Sequence, residues 1–301
     1  MDEIETLAAA LEAGFGRKLR RNEPLAAHTT LRLGGPADLW LPATSAADLA
    51  EAVLLARRQR VPVFILGSGA NLLVGDRGLR GLVISNRAEA VAFQADGVLA
   101  ESGVNLPGLA RRCARRGLSG LEWAVGVPGT VGGAVVNNAG AYGRDMAATL
   151  RRAELLAPDG QRVWQPASWF DYAYRYSRLK GSRDYVVLQA ELDLAPADPM
   201  MVESQMAAFN ERRKASQPPG ATLGSMFKNP PGDYAGRLIE AAGLKGYQIG
   251  GAQISAVHAN FFVNLGHASA GDVLALLEAA QQTVQEKFGV KLELEIEVVG
   301  E

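Results

Sequence analysis

The segment at residues 126–143 constrains the possible folds of this chain more than any other. It reads GVPGTVGGAVVNNAGAYG, six glycines in eighteen residues, mostly separated by small, β-branched or amide residues. Glycine is placed where the backbone approaches another group closely or takes a positive φ, and free backbone N–H groups bind phosphate oxygens. Because such a segment sacrifices side-chain packing, we interpret it as a site for a pyrophosphate-bearing cofactor. The alternative is a tight structural turn.

A second glycine segment, GSGANLLVG at residues 67–75, directly follows the apolar run at residues 61–66. Residues 46–60 have a helical hydrophobic period and end in basic residues, as is typical of a helix C-terminus. A helix, a buried strand and a glycine turn form an α/β unit. This turn is equally consistent with a purely structural role, because neither glycine segment has the G-x-G-x-x-G or G-K-[ST] spacing of the usual nucleotide motifs.

The composition excludes several classes of protein. Lys plus Arg total 31 and Asp plus Glu total 32 among 301 residues, so no net field favours nucleic acid or a membrane surface. One cysteine excludes an internal disulfide framework, and the three histidines lack ligand spacing, so we expect no metal. No apolar run approaches the roughly 20 residues that span a bilayer. We expect about two domains, a cytoplasmic location, and an amphipathic helix, not a signal peptide, at residues 1–16.

The remaining periodicities predict a mixed α+β fold with antiparallel strands. Alternating and helical patterns predict strands at residues 151–156, 162–164, 185–194 and 291–299, helices at 200–214 and 270–288, and a linker at 194–199. In the last strand, Glu293, Glu295 and Glu297 share one face. That face is either fully solvated or contains one carboxylate with a buried role, since like charges so close repel.

Arg175 lies in an aromatic-rich phrase, FDYAYRYS, at residues 170–177. A planar guanidinium between tyrosines suits a carboxylate or phosphate, because its fork binds two oxygens at once. An arginine stacked in a surface aromatic patch is the equally weighted alternative.

Ser225 and Lys228, in TLGSMFKNPP at residues 222–231, match the S-x-x-K pattern of acyl-serine enzymes. That chemistry places both residues at a helix start, but Pro230 and Pro231 follow at once and oppose a helix. The partner motifs S-D-N and K-T-G do not follow downstream. We therefore interpret Ser225 as a loop serine that can donate a proton.

Eight segments, in order along nearly the whole chain, resemble those of the UDP-N-acetylenolpyruvoylglucosamine reductase (MurB) family, in its shorter type without an extra tyrosine loop. They are HTTLRLGGPADLW (28–40), ILGSGANLLV (65–74), GVPGTVGGAVVNNAGAYG (126–143), YRYS (174–177), GSMFKNP (224–230), AGRLIEAAGLKGYQIGGAQIS (235–255), HANFFVNLG (258–266) and LELEIEVVG (292–300). The sequence departs from the family at Ala70, where serine is usual, and at Leu294 and Glu297, where proline and arginine are common.

The resemblance implies an α+β fold whose FAD-binding domain is of the vanillyl-alcohol-oxidase (PCMH) type, in two subdomains. The first subdomain would cover residues 1–85, with the C-terminal strand at 289–301 returning to it. The second would cover residues 86–199, and an α+β substrate-binding domain residues 200–288.

The resemblance also implies an enzyme of peptidoglycan synthesis that uses non-covalent FAD and NADPH. Its substrate would be the enolpyruvyl ether of UDP-N-acetylglucosamine, reduced to UDP-N-acetylmuramate, with Arg175, Ser225 and Glu295 as catalytic residues. Tyr174, Lys214, Lys228 and Asn229 would contact substrate. FAD would be bound by Gly67, Ser68, Gly69, Ala70, Asn71, Leu72, Gly126, Pro128, Gly129, Gly132, Gly133, Asn138, Gly140 and Ala141. We expect a monomer, without nucleic-acid or membrane partners.

In that reaction hydride adds to one carbon of the enol ether and leaves negative charge on the other, delocalised into the attached carboxylate. Arg175 would stabilise that charge with help from Glu295, and Ser225 would protonate the carbon. Two further alternatives stay open from the residues alone. One is a flavoprotein oxidase of the same superfamily, and the other is a non-catalytic nucleotide-sugar-binding protein.

Overall fold

The computed structural model describes residues 3–301, and these form seven α-helices and eighteen strands. The helices are α1 (Glu3–Phe15), α2 (Ala46–Arg58), α3 (Leu106–Ala114), α4 (Val131–Asn137), α5 (Pro199–Ser216), α6 (Ala235–Ala241) and α7 (Ala270–Phe288). The strands are β1 (Arg20–Pro24), β2 (Pro36–Ala43), β3 (Val63–Leu66), β4 (Leu72–Val74), β5 (Leu79–Asn86), β6 (Val91–Gln94), β7 (Gly97–Glu101), β8 (Leu118–Ser119), β9 (Gly140–Ala141), β10 (Arg144–Asp145), β11 (Leu150–Leu156), β12 (Arg162–Pro166), β13 (Val186–Asp193), β14 (Ala195–Pro196), β15 (Gln248–Ile249), β16 (Ala252–Ile254), β17 (Phe262–Asn264) and β18 (Glu297–Val299).

The predicted helices are confirmed to within a few residues, because local signals fix their ends. The Ser45 side chain caps α2 by accepting a hydrogen bond from the backbone N–H of Asp48. Ser269 and Asp272 form a capping box at the start of α7, and Gly289 ends that helix with a φ of 69°. The helix predicted for residues 1–16 is observed as α1; Met1 and Asp2 lie outside the described residues.

The chain divides into two compact units, of which the first comprises the chain up to Arg21, Asp38–Ser68 and Gly81–Arg212. It contains an antiparallel sheet in the order β12-β11-β13-β7-β6. Helices α3 and α4 bury their apolar residues in the same core as this sheet, and Cys113 on α3 is fully buried there.

A four-stranded sheet of order β1-β2-β5-β3 includes the predicted helix–strand–glycine unit. Its strands β3 and β5 run parallel, with Ile65 opposite Ile84. Helices α1 and α2 cover this sheet with Leu7, Leu11 and Leu49, all completely buried. The glycine segment after β3 therefore begins at the end of a strand whose residues are alternately partly and fully buried.

The second unit comprises Asn22–Ala37, Gly69–Arg80 and Arg213–Glu301. Its antiparallel sheet has the order β15-β16-β17, and α6 and α7 share a core with it that contains Phe227 and Phe262. The N-terminus of α7 receives a further cap from Asp76, whose carboxylate accepts the backbone N–H groups of Ala270 at 2.8 Å and Gly271 at 3.1 Å.

The strand predicted over residues 291–299 is wrong for most of its length. Only β18 (Glu297–Val299) is a strand, and it pairs in parallel with β4. Before it, Leu294 forms an antiparallel bridge with Phe227, and the chain bends at residues 295–296. The segment changes partner at the bend, so the three glutamates do not lie on one continuous strand face.

The mixture of helices, antiparallel sheets and short parallel pairs confirms the predicted α+β class. The three-part division of the chain at residues 85 and 199 stays a prediction. Among residues 3–301, no helix is long and apolar enough to cross a membrane.

Candidate functional site

The glycine segment at residues 126–143 forms a loop, a short helix and a second loop. A 3₁₀ turn (Glu122–Gly126) leads to Gly129, whose φ is 153° and beside which an added Cβ would meet open space. The Thr130 side chain then caps α4 by accepting the backbone N–H of Gly133 at 3.3 Å. The parts of the segment on either side of α4 therefore expose mainly backbone groups and few side-chain atoms.

The first amides of α4 are already bonded within the protein. The backbone N–H of Val131 donates to the carbonyl of Val104 at 2.9 Å, and that of Gly132 donates to Ser102 at 2.8 Å. By contrast, no acceptor within residues 3–301 binds the amides of Gly129 and Thr130. A ligand would thus meet the loop before α4, not the helix terminus itself.

The two glycine segments meet where Gly67 faces Thr130. A Cβ added to Gly67 would lie 2.7 Å from Oγ1 and 3.2 Å from Cγ2 of Thr130, so only glycine fits without displacement. Downstream, no group of the described chain accepts the amides of Ser68, Gly69, Ala70 or Asn71. A run of unbonded amides after strand β3 fits the oxygens of a pyrophosphate.

Arg175 sits in a tight turn in the first unit. The backbones of Ala173 and Tyr176 exchange two hydrogen bonds, each 3.1 Å, and Arg175 within the turn has a φ of 54°. Its Nη2 donates to the carbonyl of Gly140 at 2.7 Å, and its guanidinium lies 5.2 Å from the ring centroid of Tyr174. The predicted catalytic arginine thus contacts the second half of the glycine segment.

Two hydroxyl groups beside this turn bind carbonyl groups at the C-terminal end of α4. The Tyr172 hydroxyl donates to Val135 at 3.0 Å, and the Ser177 hydroxyl donates to Val136. Burial raises the pKa of Tyr172 well above its ordinary value, so the phenol stays protonated and remains a donor. Asn138 ends α4 with a left-handed backbone and is only 1% exposed.

Ser225 lies in the second unit, in a segment that pairs with two others. It forms an antiparallel bridge with Phe261, and the N–H of Met226 donates to the carbonyl of Asn260 at 2.8 Å. The Asn260 side chain accepts the N–H of Phe227 at 2.9 Å and donates to its carbonyl at 2.8 Å. As predicted, Ser225 is in an extended loop and not on a helix.

Glu295 belongs to a segment that pairs with the residues directly after Ser225. Its backbone N–H donates to the carbonyl of Met226 at 2.9 Å, and its carbonyl accepts Nδ2 of Asn71 at 3.3 Å. The side chain is half-buried, whereas Glu293 is exposed. The second unit therefore holds Ser225 and Glu295 on neighbouring segments, next to the second half of the 67–75 glycine loop, while Arg175 belongs to the first unit.

The predicted substrate contacts differ in their surroundings. Lys228 pairs with Glu293 at 3.3 Å, and Asn229 Oδ1 accepts the backbone N–H of Ala235 at 3.1 Å, at the start of α6. Tyr174 is exposed beside Arg175, and Lys214 is exposed on α5. Within residues 3–301 there is no cluster of three or more His, Cys, Asp or Glu side chains arranged to hold a metal.

Sequence reasoning missed Asn260 and Thr130, which hold the loops on which the predicted site residues lie. Asn260 is 2% exposed, and an amide directly before the apolar residues FFV was the available sequence signal. Thr130 follows a Pro-Gly pair and precedes a helix, which is the pattern of an N-cap. Their partners, Phe227 and Gly67, lie too far away in the sequence to be identified from it.

Comparisons with known proteins identify two matched regions in the chain. Residues 37–165 match the profile of an FAD binding domain, and residues 216–299 match the C-terminal domain of UDP-N-acetylenolpyruvoylglucosamine reductase. A UDP-N-acetylenolpyruvoylglucosamine reductase of Symbiobacterium thermophilum is 46% identical over 288 residues, covering 94% of this chain and 92% of that protein. The Bacillus subtilis reductase is 42% identical over 286 residues, 94% of each chain.

Among solved structures, the MurB reductase of Thermus caldophilus superposes with a TM-score of 0.81 at 38% identity, covering 94% of this chain and all of that one. Together with the FAD-binding profile, this confirms the predicted vanillyl-alcohol-oxidase-type FAD domain followed by a C-terminal α+β domain. The chain belongs to the UDP-N-acetylenolpyruvoylglucosamine reductase (MurB) family.

Proposed function

We propose that this protein uses FAD to reduce the enolpyruvyl ether of UDP-N-acetylglucosamine to UDP-N-acetylmuramate, with NADPH as the source of hydride. One structural observation supports this proposal most directly. Within the region that matches an FAD binding domain, two glycine segments meet at Gly67 and Thr130 and expose unbonded backbone amides.

The residues of both loops fit a bound FAD. The amides of Ser68, Gly129 and Thr130 would bind the oxygens of the diphosphate, and the neighbouring glycines leave room for it. FAD, when bound, supplies hydride transfer, and the protein orients it against the substrate. Neither glycine segment contains a histidine or cysteine, the usual points of covalent flavin attachment, which supports non-covalent binding.

Arg175 would bind the carboxylate of the enolpyruvyl group. Its side chain is oriented by the bond from Nη2 to Gly140 and by the ring of Tyr174, so the position of its positive charge is set before substrate binds. Preorganised positive charge stabilises the negative charge that develops when hydride adds to the ether, and this is the largest contribution we assign to a side chain.

Ser225 would give a proton to the carbon that becomes negative. A free hydroxyl is a weak acid, but the intermediate is a strong base, so position matters more than acidity. Asn260 and Glu295 hydrogen-bond to the backbone of residues 226 and 227, directly after Ser225. These bonds fix the position of Ser225. The backbone N–H of Glu295 donates to the carbonyl of Met226, the residue after Ser225, so Glu295 would assist at the same end of the substrate.

Four residues would contact the rest of the substrate: Tyr174, Lys214, Lys228 and Asn229. Lys228 can exchange its exposed partner Glu293 for a phosphate at small cost, because an exposed ion pair contributes little. Asn229 uses Oδ1 to hold the start of α6, so its contact with substrate would come from Nδ2.

Flavin content tests this proposal directly. The purified protein should be yellow, with a flavin absorption spectrum and about one FAD per chain after reconstitution. NADPH should bleach that spectrum, and the enolpyruvyl substrate should restore it. A colourless protein that does not take up FAD would refute the assignment. Reoxidation by oxygen alone, with no response to the substrate, would favour a flavoprotein oxidase.

We also propose that the protein acts as a cytoplasmic monomer. The near-balance of 31 Lys plus Arg against 32 Asp plus Glu leaves no net field that would hold the protein at a membrane surface, which supports the location. Light scattering on the purified protein should give the mass of one chain, 31.9 kDa. A stable mass of two chains at micromolar concentration would contradict the monomer.

A further inference from the structure

The turn that carries Arg175 is strained at that residue. A non-glycine residue with a φ of 54° is in the left-handed region, which costs on the order of 1 kcal/mol and persists only where neighbours enforce it. The turn itself contributes two backbone hydrogen bonds between Ala173 and Tyr176. Two side chains from outside the turn bind its carbonyl oxygens.

The first side chain is that of Asn138, at the end of α4. Its Nδ2 donates to the carbonyl of Ala173 at 2.9 Å and to Oδ2 of Asp145 at 3.0 Å, and its Oδ1 accepts the N–H of Ala147 at 2.9 Å. Both amide hydrogens and the amide oxygen are therefore used inside the protein. This leaves the Asn138 side chain, 1% exposed, without an N–H donor to offer a cofactor.

The second side chain is that of Lys180, which is half-buried after the turn. Its Nζ donates to the carbonyl of Arg175 itself at 3.1 Å. Asn138 thus holds the first residue of the turn, and Lys180 holds the peptide group directly after the Arg175 side chain. Both contacts would be lost if the turn relaxed to an ordinary backbone conformation.

We infer that Asn138 and Lys180 are positioning residues for Arg175, holding its turn so that the guanidinium keeps its bond to Gly140. This inference rests on the role of Arg175 in the proposed function. It assigns to Asn138 a task different from direct cofactor binding. The physical reason is that a misplacement of about 1 Å at a charge-stabilising group costs roughly a hundredfold in rate.

Two variants remove the contacts separately. Asn138→Gly deletes the amide while keeping a residue that readily adopts the left-handed backbone, so the end of α4 is preserved. Lys180→Met deletes the ammonium at a half-buried position and carries less risk to folding, and Lys180→Arg restores a cationic donor. The two half-reactions are measured by stopped-flow absorbance of the flavin in each holoenzyme.

We expect both deletions to slow flavin reoxidation by the enolpyruvyl substrate by roughly tenfold or more, while flavin reduction by NADPH is unchanged. Lys180→Arg should recover most of the rate. In an Arg175→Ala background neither deletion should slow reoxidation further, because residues that act through one group are non-additive. A readout independent of turnover is trypsin cleavage after Arg175, which should accelerate by about tenfold in both deletion variants, with cleavage after the exposed Arg77 as the reference site.

Several results would overturn the inference. Equal slowing by Asn138→Gly with and without Arg175 would mean that Asn138 acts independently of it. Lower thermal stability with unchanged half-reactions and unchanged cleavage after Arg175 would show a merely structural role. If Arg175→Ala itself left reoxidation unaffected, the proposed role of Arg175 would fail, while the cleavage assay would still report whether Asn138 and Lys180 hold the turn.

Discussion

The side-chain amide of Asn260 pairs with both polar backbone groups of Phe227. Its Oδ1 accepts the Phe227 N–H at 2.9 Å, and its Nδ2 donates to the Phe227 carbonyl at 2.8 Å. Both residues are buried, with Phe227 completely so. A single side chain thus satisfies the backbone groups that a paired strand would otherwise bind, two residues after Ser225. Bridges from this segment to its neighbours are otherwise isolated.

Replacing this amide should destabilise the folded protein. In Asn260→Ala the N–H and carbonyl of Phe227 lose their partners while buried, so we expect a loss of about 2 kcal/mol or more in the free energy of unfolding. Urea denaturation measures it. Gln282→Ala, on the exposed face of α7, is the control and should change stability by less than about 0.5 kcal/mol. A variant at Asn260 as stable as the control would show that solvent satisfies Phe227.

Gly67 should be required for cofactor affinity. In Gly67→Ala the new methyl would lie 2.7 Å from Oγ1 of Thr130 and push the two glycine loops apart. We expect FAD affinity to fall by about tenfold or more, as an overpacked contact typically costs 1–3 kcal/mol. Fluorescence titration of the apoprotein with FAD measures the change.

Gly14→Ala provides the matched control for Gly67→Ala. At Gly14, on α1, a Cβ would make only an ordinary 3.6 Å contact with Glu51. Alanine favours a helix over glycine by up to about 1 kcal/mol, so this variant should keep FAD affinity and gain slightly in stability. Equal loss of FAD affinity in both variants would contradict a specific role for the Gly67 contact.

The capping box of α7 should make stability depend on pH in acid. The Asp272 carboxylate accepts backbone N–H groups of Ser269 and Gly251, and these bonds lower its pKa in the folded protein. A lowered folded-state pKa gives stability that is present above the unfolded value of about 4 and is lost as pH falls through the folded value. The stability difference between wild type and Asp272→Asn should therefore be constant from about pH 6 to 8 and shrink below about pH 4. A difference that persists unchanged at the acid end would argue against ionisation of Asp272 as its source.

Cys113 should be inert in the native protein. It is fully buried on α3, and burial raises its pKa to about 12. An aromatic disulfide reagent at about pH 8 should label no thiol until urea unfolds the chain, because only the thiolate reacts. Ser204→Cys, which adds a thiol on the exposed face of α5, should be labelled at once. Rapid labelling of native wild type would mean that α3 opens locally.

Features fixed by nearby residues were predictable from the sequence. Helix α7 was predicted with both of its bounds, because Ser269, Asp272 and Gly289 mark its ends within a few residues. The glycine density at residues 126–143 is enough to predict a loop lined by backbone groups. The α+β class followed from periodicity alone.

Features fixed by distant partners were not predictable. The alternation at residues 291–299 predicted one strand, but the segment leaves Phe227 for β4 at a bend, and no local signal marks that exchange. Leu294 and Glu297, which depart from the family's usual residues, flank the bend. Likewise the bonds of Asn138 to Ala173 and Asp145 required the tertiary structure, whereas the resemblance to the family implied a direct cofactor contact.

The half-reactions of Ser225→Ala test the central claim most directly. Reduction of the flavin by NADPH does not need the proton from Ser225, so its rate should stay close to that of wild type. Reoxidation by the enolpyruvyl substrate should slow by at least about a hundredfold, the usual range for loss of a positioned proton donor. If both half-reactions fell together, or if reoxidation kept its wild-type rate, Ser225 would not be the acid and the proposed mechanism would be contradicted.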